Sequence, residues 1–558
     1  MKPILSKERI ALLKTGAVMP EYLDKLRKRA EEEIQNPSPV LSFSDFKLFE
    51  ETGERHKYEK PLMKKRARIS LFSVMFLLTD EERWKNALEE AIFAVCGEAS
   101  WVSPAHFRSG TTSAAEPDLE IDLVASETGF ILAEILDLLE DKLNPRLVSF
   151  VDRAIRQKII IPFLEKEMFW ETRETNWAAV CCSGTLASIL YRGTKEEAEL
   201  AIPRALRALE CFKKSFSEDG CCIEGPTYWN YGFGFYVYIA DLLKTYTEGK
   251  IDLLSDSKSK KMAGFFQNSL LGDTFTVSFG DASEHAMGMY GVTSYLHRHC
   301  QTEMLSPQRL SYPIDETKTM QLFRDLAWYE PAEATMKKTP FVYYKEFGWY
   351  IRNNAFGSLA VNAGANWGPH QHLDVGTFIL IVDDKAVFAD LGRGLYTRQY
   401  FYGSRYEHFV TSSRGHNVPV IDGKYQLSGK EHRAEVIEAS EKAVAFSFEK
   451  AYGEAGPEKL VRRLELSEDA LVLTDSYTFD KPVGYTERFI TSHLPSVDGE
   501  TVRIAGCTVD YDAAQFDVTI NTEEYADHAG EMKTAYCVDF SPKTDADTFV
   551  LKVKRVKK

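Results

Sequence analysis

Apolar residues recur at helical spacing through the first part of the chain. Residues 71–95 and 121–139 place apolar side chains three or four positions apart, which predicts helices with one buried face. The same pattern predicts further helices over residues 144–170, 177–191, 194–216, 229–246 and 257–271. Helices of about 12 to 20 residues joined by short turns favour a toroid or solenoid over a compact bundle. We therefore predict a helical (α/α) toroid over residues 1–335.

The pattern changes to short β-type runs near Phe341. Aromatic and β-branched residues dominate these runs, and Gly, Asp and Asn separate them. The runs lie at residues 341–344, 348–352, 357–361, 444–448, 460–466, 470–473, 518–520 and 549–553. Closely spaced strands of this kind are typical of an antiparallel sandwich. The predicted fold class is α+β multidomain, with a linker at Pro331 to Pro340 and an antiparallel β-sandwich over residues 336–558.

One polar cluster stands out in the predicted sandwich. Residues 368–376 read GPHQHLDVG, and residues 377–382 form an apolar run that predicts a buried strand. If residues 370–374 are extended, two histidines and an aspartate share one face, because side chains alternate along a strand. Two more polar residues follow at predicted strand edges, Asp390 and His416. Two imidazoles and a carboxylate from neighbouring strands suit zinc, with the fourth position left to water or another ligand.

Composition excludes some partners. The formal net charge is −15, and no long basic run offsets it, which argues against nucleic acid as a partner. A focused basic cleft for an anionic substrate remains compatible with that charge. No apolar run is long enough to span a membrane, so we expect no membrane partner. Aromatic residues make up 12% of the chain, which suits a sugar groove but equally suits a packed core.

The cysteines and the N-terminus favour a cytoplasmic protein. Nine cysteines include two adjacent pairs, Cys181-Cys182 and Cys221-Cys222. Adjacent cysteines rarely bridge each other because that disulfide is strained, and no CxxC spacing marks a zinc-thiolate site. The charged N-terminal segment lacks a secretory signal pattern. We expect reduced thiols, and the sequence leaves homo-oligomerisation open.

Three stretches of the helical region hold candidate polar residues. Asn176 lies at a predicted helix start, where a capping role is the simpler interpretation. Tyr228 and Tyr231 are three positions apart and would share a helix face, which more often marks a core than a catalytic pair. Asp281 follows Phe279-Gly280, at what looks like the entry to another helix, and it too is interpreted as a cap.

These stretches together resemble a known family. The order is Asn-Trp, EGPxYWxYG, GPHxHxD, an aspartate ending a strand, and Arg-Gly-His-Asn. It is similar to the heparinase II/III-like polysaccharide lyases over roughly residues 70–480, with the most specific part at residues 370–417. The resemblance implies an N-terminal (α/α) toroid, a C-terminal β-sandwich, and cleavage of uronic-acid glycosides by β-elimination. The toroid-then-sandwich order was predicted independently above.

The resemblance assigns catalytic roles to four residues. The C5 proton of a uronate is not acidic while the carboxylate is charged, so the reaction needs charge neutralisation, a base and an acid. Asn176 would bind the carboxylate, and His370 would be the base. Tyr228 would be the acid, or both acid and base if a nearby cation lowers its pKa. Tyr231 is the alternative catalytic tyrosine, with Tyr228 favoured.

The resemblance also implies a zinc site at His372, Asp390 and His416. That zinc would be structural and would pin the strands that present the base.

Substrate contacts are assigned to four further residues. Arg405 and Arg414 could meet a carboxylate or sulfate in bidentate fashion, although a solvated surface arginine is an equal alternative for each. Trp177 and Glu224 are additional candidate substrate contacts. Several family members carry a histidine where this chain has Trp177. Because that second base is absent here, proton transfer is expected to depend on His370 and the tyrosines.

Three functions are compared. The first is a lyase that cleaves uronate glycans exolytically, acting on short oligosaccharides, since a cytoplasmic enzyme meets chains small enough to be imported. The second is a glycoside hydrolase on the same toroid, with Glu224 and Asp281 as its two carboxylic acids. The third is an inactive carbohydrate-binding relative. The presence of Asn176, Tyr228 and His370 together favours the lyase.

Overall fold

The computed structural model describes residues 2–107, 119–311, 319–331, 338–401, 403–480 and 483–556. The chain forms two compact units. The N-terminal unit comprises Met1–Ser215, Asn230–Ala263 and Met287–Thr335, and the C-terminal unit comprises Phe216–Trp229, Gly264–Ala286 and Met336–Lys558. Two segments of the helical region therefore group with the sandwich. Residues 332–337 of the predicted linker lie outside the described residues.

Helices dominate the first part of the chain. In chain order they are α1 Lys7–Lys14, α2 Pro20–Ile34, α3 Phe43–Phe46, α4 Leu48–Thr52, α5 His56–Thr79, α6 Glu82–Cys96, α7 Leu123–Leu139, α8 Pro145–Ile155, α9 Ile161–Glu165, α10 Asn176–Arg192, α11 Lys195–Lys213, α12 Gly225–Tyr228, α13 Gly234–Tyr246, α14 Ser257–Asn268, α15 Tyr290–Cys300, α16 Thr319–Trp328 and α17 Arg398–Phe401. No helix among the described residues is long and apolar enough to cross a lipid bilayer. All nine cysteines are described, and none forms a disulfide.

Helix α10 is the central element of the N-terminal unit. It packs against α7, α11 and α13, and nearly all of its residues from Ala178 to Leu190 are buried. Gly184 makes the contact with α7 possible, because a Cβ there would lie 2.4 Å from the carbonyl oxygen of Ser126. The predicted helix over 177–191 is confirmed, whereas the predicted helix over 144–170 ends at Glu165 after a π-helical turn.

Strands dominate the C-terminal unit, with short strands also occurring earlier in the chain. In chain order they are β1 Leu270–Leu271, β2 Phe275–Thr276, β3 Gly288–Met289, β4 Leu310–Ser311, β5 Phe341–Tyr344, β6 Trp349–Asn353, β7 Ser358–Asn362, β8 Phe378–Val382, β9 Lys385–Phe388, β10 Val420–Ile421, β11 Glu435–Ala439, β12 Ala443–Ser447, β13 Lys459–Leu466, β14 Ala470–Thr478, β15 Tyr485–Thr491, β16 Ser496–Asp498, β17 Thr501–Ile504, β18 Cys507–Tyr511, β19 Phe516–Ala526, β20 Met532–Pro542 and β21 Thr548–Arg555.

Three antiparallel sheets of four or more strands build most of the described part of the C-terminal unit, which also holds the two-stranded sheet β1-β2. Their orders are β5-β6-β7-β8-β9, β10-β15-β20-β19 and β11-β12-β13-β14-β21-β18-β17-β16. All three contribute to one hydrophobic core, for example through Leu380 on β8, Leu473 on β14 and Phe540 on β20. Strand β13 shows why: it alternates buried and less buried residues, so one face enters the core. The predicted antiparallel sandwich is therefore confirmed, with sheets that share one core.

A buried arginine links the sandwich core to the loops that carry the candidate site. Arg462 on β13 donates to the carboxylate of Asp475 at 2.9 and 2.6 Å, and to the carbonyl oxygens of Gly376 at 2.8 Å and Asn417 at 2.6 Å. Burial and the charge of Asp475 raise the pKa of nearby Glu487 well above its ordinary value. Glu487 Oε2 also lies 3.4 Å from Arg462 Nη2, so two buried carboxyl groups surround this guanidinium.

We predict that Arg462→Met lowers the free energy of unfolding by about 3–5 kcal/mol, because Asp475 is left buried without a cation. Arg463→Met is the matched control, since the adjacent Arg463 pairs with Glu438 and Glu465 on a partly exposed face. It should cost at most about 1 kcal/mol. Urea unfolding of the full chain measures both variants. If Arg462→Met lowered the free energy of unfolding no more than Arg463→Met does, the buried network would be dispensable for stability.

Candidate active site

His370 sits in a tight turn rather than in a strand. Its φ is 59°, and the strand that follows begins only at Phe378, so residues 370–374 do not have the extended conformation under which their polar side chains would share one face. The backbone N–H of Asp281 donates to the carbonyl oxygen of His370 at 2.9 Å. A Cβ at Gly280 would lie 2.5 Å from that same oxygen. Glycine at position 280 therefore lets the two turns approach this closely.

A fully buried carboxylate, that of Asp281, organises the site. It accepts hydrogen bonds from His370 Nδ1 at 2.8 Å, His372 Nε2 at 2.9 Å and the Tyr400 hydroxyl at 2.5 Å. Arg405 Nη2 lies 3.1 Å from both of its oxygens. No helix begins at this position, so the interpretation of Asp281 as a helix cap is wrong.

The donors around Asp281 keep it ionised. Burial alone raises the pKa of this carboxyl, but the hydrogen bonds from His370 and His372 and the charge of Arg405 outweigh burial. The pKa of Asp281 therefore lies well below its ordinary value. A carboxylate in this state stabilises positive charge on the imidazoles beside it and cannot supply a proton.

Tyr228 lies directly on the His370 ring. The ring centroids are 4.1 Å apart with an interplanar angle of 25°, and the Tyr228 hydroxyl is 2.6 Å from the hydroxyl of Tyr396. Burial and the charge of Asp281 raise the pKa of Tyr228, although Arg393 acts in the opposite direction. The pKa of Tyr228 is therefore not lowered by a nearby cation, which was the condition for Tyr228 to act as both acid and base. Tyr228 carries its proton.

One nitrogen of His370 remains available for chemistry. Because Nδ1 donates to Asp281, Nε2 carries the lone pair. Nε2 lies 3.8 Å from a carboxylate oxygen of Glu224, whose side chain is almost fully buried. The ring of Phe401 packs edge-on against His370 at 6.4 Å. The His370 side chain itself stays partly exposed.

Tyr231 has different surroundings from Tyr228. A π-helical turn spans Trp229–Phe233, so residues three apart do not stack as they would in an α-helix, and the predicted shared face is wrong. Tyr231 belongs to the N-terminal unit, and its hydroxyl donates to the carboxylate of Glu127. Burial and the charge of Glu127 raise the pKa of Tyr231 well above its ordinary value.

Asn176 and Trp177 open helix α10 in the N-terminal unit. Thr175 occupies the N-cap position, so Asn176 is the first helical residue rather than the cap, and it is buried. The Trp177 ring contacts the ring of His106 at 4.9 Å and that of Phe169 at 5.2 Å. The two predicted site residues of this helix start therefore belong to a unit other than that of Tyr228 and His370.

Three predicted metal ligands converge in the C-terminal unit. One ligand atom each of His372, Asp390 and His416 lies within 4.8 Å of the other two, and all three side chains are buried. His372 Nδ1, Asp390 Oδ2 and His416 Nδ1 lack hydrogen-bond partners among the described residues. Buried polar atoms without partners are costly, and a cation among them would remove that cost.

The other ring nitrogens fix the tautomers that a metal requires. His372 Nε2 donates to Asp281, and His416 Nε2 donates to the carbonyl oxygen of Val410 at 3.0 Å. Each Nδ1 therefore carries a lone pair, as in the outer-shell hydrogen bonding of metal-bound histidines. The two nitrogens and the carboxylate oxygen of Asp390 match the donor set of zinc.

The ligands stand on loops rather than on strand edges. His372 precedes β8, Asp390 lies beyond the end of β9, and His416 follows the turn Ser413–Gly415. His416 Nδ1 lies 3.2 Å from Asp390 Oδ2. Burial lowers the pKa of His416, but the charge of Asp390 outweighs burial and raises it. A metal cation and a proton would therefore compete for His416 Nδ1.

The two candidate substrate arginines differ in their contacts. Arg405 is held by Asp281 and by the carbonyl oxygen of Gln371 at 3.2 Å. Arg414 Nη2 donates to the carbonyl oxygen of Glu407 at 3.2 Å and lines a cavity of about 470 Å³. The lining residues of this cavity are Leu373, Tyr406, Glu407, Ser412, Arg414, Tyr425, Gln426, Leu427 and Ser428.

The C-terminal part of the chain matches a known family. Residues 336–529 match the family model described as heparinase II/III-like, C-terminal. This segment is therefore similar to the C-terminal part of heparinase II/III-like proteins. The resemblance inferred from the motifs is thereby confirmed. No curated protein was found to match the chain by sequence.

Solved structures share the fold along nearly the whole chain. Heparan sulfate lyase HepC from Pedobacter heparinus is 13% identical, with 96% of this chain and 83% of that chain covered and a TM-score of 0.60. A crystal structure of heparinase III is 12% identical, with 99% and 92% covered and a TM-score of 0.62. Chondroitin AC lyase of Streptomyces coelicolor A3 is 10% identical, with 99% and 82% covered and a TM-score of 0.53. These similarities confirm the predicted fold class, a toroid followed by a β-sandwich.

The motifs of the heparinase II/III-like domain did not reveal every residue of the site. Asp281 was misassigned, and Tyr396 and Tyr400 were not singled out. The sequence did hold a signal for the tyrosines, since residues 393–406 contain four tyrosines and three arginines soon after the histidine motif. Asp281 lies 89 positions before His370, and only the folded chain joins them.

We predict that the purified protein contains about one zinc ion per chain, and that chelator lowers its thermal stability. Asp390→Asn should lose the metal because it removes the anionic ligand. Asp383→Asn is the control, since that exposed carboxylate pairs with Arg555. Metal analysis and thermal unfolding measure both effects. The site would be refuted if the purified protein contained no zinc and its thermal stability did not change when chelator was added.

Proposed function

We propose that the chain is a lyase that cleaves uronic-acid glycosides by β-elimination. One observation carries this proposal: Tyr228, which holds its proton, stacks on His370, whose Nε2 lone pair is free to accept one. β-Elimination needs a base and an acid on neighbouring atoms of one sugar. A stacked imidazole and phenol provide both within the same unit of the chain.

The proposed base is His370. Its Nε2 takes the C5 proton of the uronate, and the electron pair of that bond forms the C4–C5 double bond. Asp281 remains ionised and hydrogen-bonded to Nδ1, so it stabilises the imidazolium that results. Glu224, 3.8 Å from Nε2, adds a second carboxyl group beside the same nitrogen.

The proposed acid is Tyr228. As the C4–O4 bond breaks, the departing oxygen takes the phenolic proton. The Tyr396 hydroxyl, 2.6 Å away, can donate a hydrogen bond to the tyrosinate that forms. Arg393 supports the same charge, since it lowers the pKa of Tyr228 against the effect of burial. The mechanism thus separates the two roles and does not require Tyr228 to act as base.

The substrate carboxylate must also lose its charge. By the family resemblance, we propose that Asn176 binds it, with Trp177 as a neighbouring sugar contact. Arg405 is engaged by Asp281 and Gln371, so it orients the carboxylate of Asp281 rather than that of the substrate. Arg414, on the wall of the cavity, keeps its proposed role in binding a substrate carboxylate or sulfate.

Zinc at His372, Asp390 and His416 is proposed to be structural. The residues fit the ion, which would supply cross-links between three loops when bound. His372 also donates to Asp281, so the loop held by the metal and the carboxylate beside the base share one hydrogen bond.

The hydrolase alternative has weaker support. A glycoside hydrolase needs one protonated carboxylic acid and a second carboxylate. Asp281 has a pKa well below its ordinary value and four side chains around it. Glu224 is the remaining candidate acid, but its side chain is almost fully buried beside His370.

Structural relatives suggest the class of substrate. Their names describe a heparan sulfate lyase, heparinase III and a chondroitin AC lyase bound to chondroitin sulphate. We propose glycosaminoglycan or alginate chains as substrates, with cleavage from a chain end. The segment 393–401 supports end cleavage, because Tyr396 contacts Tyr228 and Phe401 contacts His370. These contacts cover one side of the catalytic pair.

We predict that His370→Ala and Tyr228→Phe each lower kcat roughly 10²–10⁴-fold, because each removes a proton-transfer group. Tyr231→Phe should be much milder, since its hydroxyl contacts Glu127 instead. The measurement is the ultraviolet absorbance of the new C4–C5 double bond, with circular dichroism to check folding. An inactive Tyr231→Phe beside an active Tyr228→Phe would reverse the choice of tyrosine. Reducing ends without absorbance would indicate a hydrolase.

We also predict that the first products from a long uronate chain are single small unsaturated sugars. A covered catalytic pair admits a chain end more readily than a chain interior. Size separation of products during the first few per cent of turnover tests this. A ladder of intermediate oligosaccharides at that stage would mean internal cleavage and would overturn the end-cleavage proposal.

A further inference from the structure

Trp367 is an exposed aromatic ring on a rigid base. All eight tryptophans lie in the described residues, and Trp367 alone is exposed, at 53% of its surface. The preceding Asn366 is fully buried, and its side chain donates to Gln426 and to the carbonyl oxygen of Leu427, both at 3.0 Å. Its Oδ1 accepts from the backbone N–H of Asp374 at 3.0 Å. The backbone next to Trp367 is therefore anchored, while the ring faces solvent.

A cation accompanies this ring. The ammonium of Lys430 lies 5.0 Å from the centre of the Trp367 ring. Within the residues that the structure describes, no carboxylate pairs with Lys430. A positive charge without a partner is notable on a chain whose net charge is −15. An exposed aromatic face beside such a cation suits an acidic sugar, which presents both a C–H face and an anionic group.

The ring and its cation lie close to the candidate base. Trp367 precedes His370 by three residues, so their Cα atoms are at most about 11 Å apart. Leu427 and Ser428, which shortly precede Lys430 in the chain, line the cavity together with Arg414. A glycan with one unit at His370 would have its neighbouring units in this region.

We propose that Trp367 and Lys430 form a subsite for one acidic sugar outside the scissile bond. The sugar ring stacks on the indole, and its carboxylate or sulfate pairs with the ammonium. The proposal rests on the proposed glycan-cleaving function for the identity of the ligand. It adds a binding contact that the proton-transfer chemistry does not use, so binding and turnover can be tested separately.

The test measures binding in the His370→Ala variant, in which turnover is expected to be slow enough for a binding titration. The probes are heparan sulfate, chondroitin and alginate hexasaccharides, titrated by calorimetry. Adding Trp367→Ala should weaken binding about three- to tenfold, whereas Trp367→Phe should retain most of it. Lys430→Gln should weaken binding several-fold at low salt, and this difference should shrink at roughly 0.5 M salt.

Two controls match these changes. Leu494→Ala removes an apolar side chain that is 74% exposed in the same unit, and Lys424→Gln removes an exposed ammonium. Both should bind like the His370→Ala parent, and zinc content should stay constant throughout. Affinity unchanged to within about twofold in Trp367→Ala and Lys430→Gln, or no binding of any probe by the parent, would overturn the subsite. Ultraviolet product formation by the unmodified enzyme decides the lyase proposal independently.

Discussion

The candidate site is organised around the buried carboxylate of Asp281. A carboxylate taken out of water must be compensated by donors on every side, and Asp281 receives them from two imidazoles, a phenol and a guanidinium. This requirement fixes the ring orientation of His370, and therefore the direction of its free lone pair. It also fixes the tautomer of His372. The same electrostatic constraint thus orients the proposed base, His370, and one proposed metal ligand, His372.

Local pattern predicted most of the architecture because helix and strand periodicity are local properties. Helix α10, strand β8 and the change from helices to strands follow from apolar spacing alone. The loop conformations could not be predicted in this way, because they depend on contacts with residues far away in the sequence. Asp281 looked like a helix cap, yet its partners lie about 90 to 125 residues further along. His370 has a left-handed backbone that alternation along a strand could not suggest.

The same distinction applies to the candidate site: the sequence predicted residue identities but not their protonation states. Residue types at characteristic spacing named His372, Asp390 and His416, and the structure brings their ligand atoms together. What the sequence did not contain is the state of each group: which nitrogen holds the proton, and in which direction a pKa moves. Tyr228 is the example, since a cation nearby does lower its pKa, but burial and a carboxylate matter more. Such balances depend on three-dimensional surroundings, which no motif records.

Arg462 gives the C-terminal unit a property beyond its static contacts. Its guanidinium joins strand β13 to the backbone at Gly376, beside the histidine loop, and at Asn417, beside the proposed metal ligand His416. If either loop detached while the core stayed folded, Arg462 would lose a hydrogen-bond acceptor, and its charge would remain buried with fewer partners. Local fluctuations that free active-site loops in many enzymes are therefore suppressed at this end of the loops. Amide hydrogens here should exchange with solvent only when the whole sandwich opens, so any motion that admits substrate must arise elsewhere.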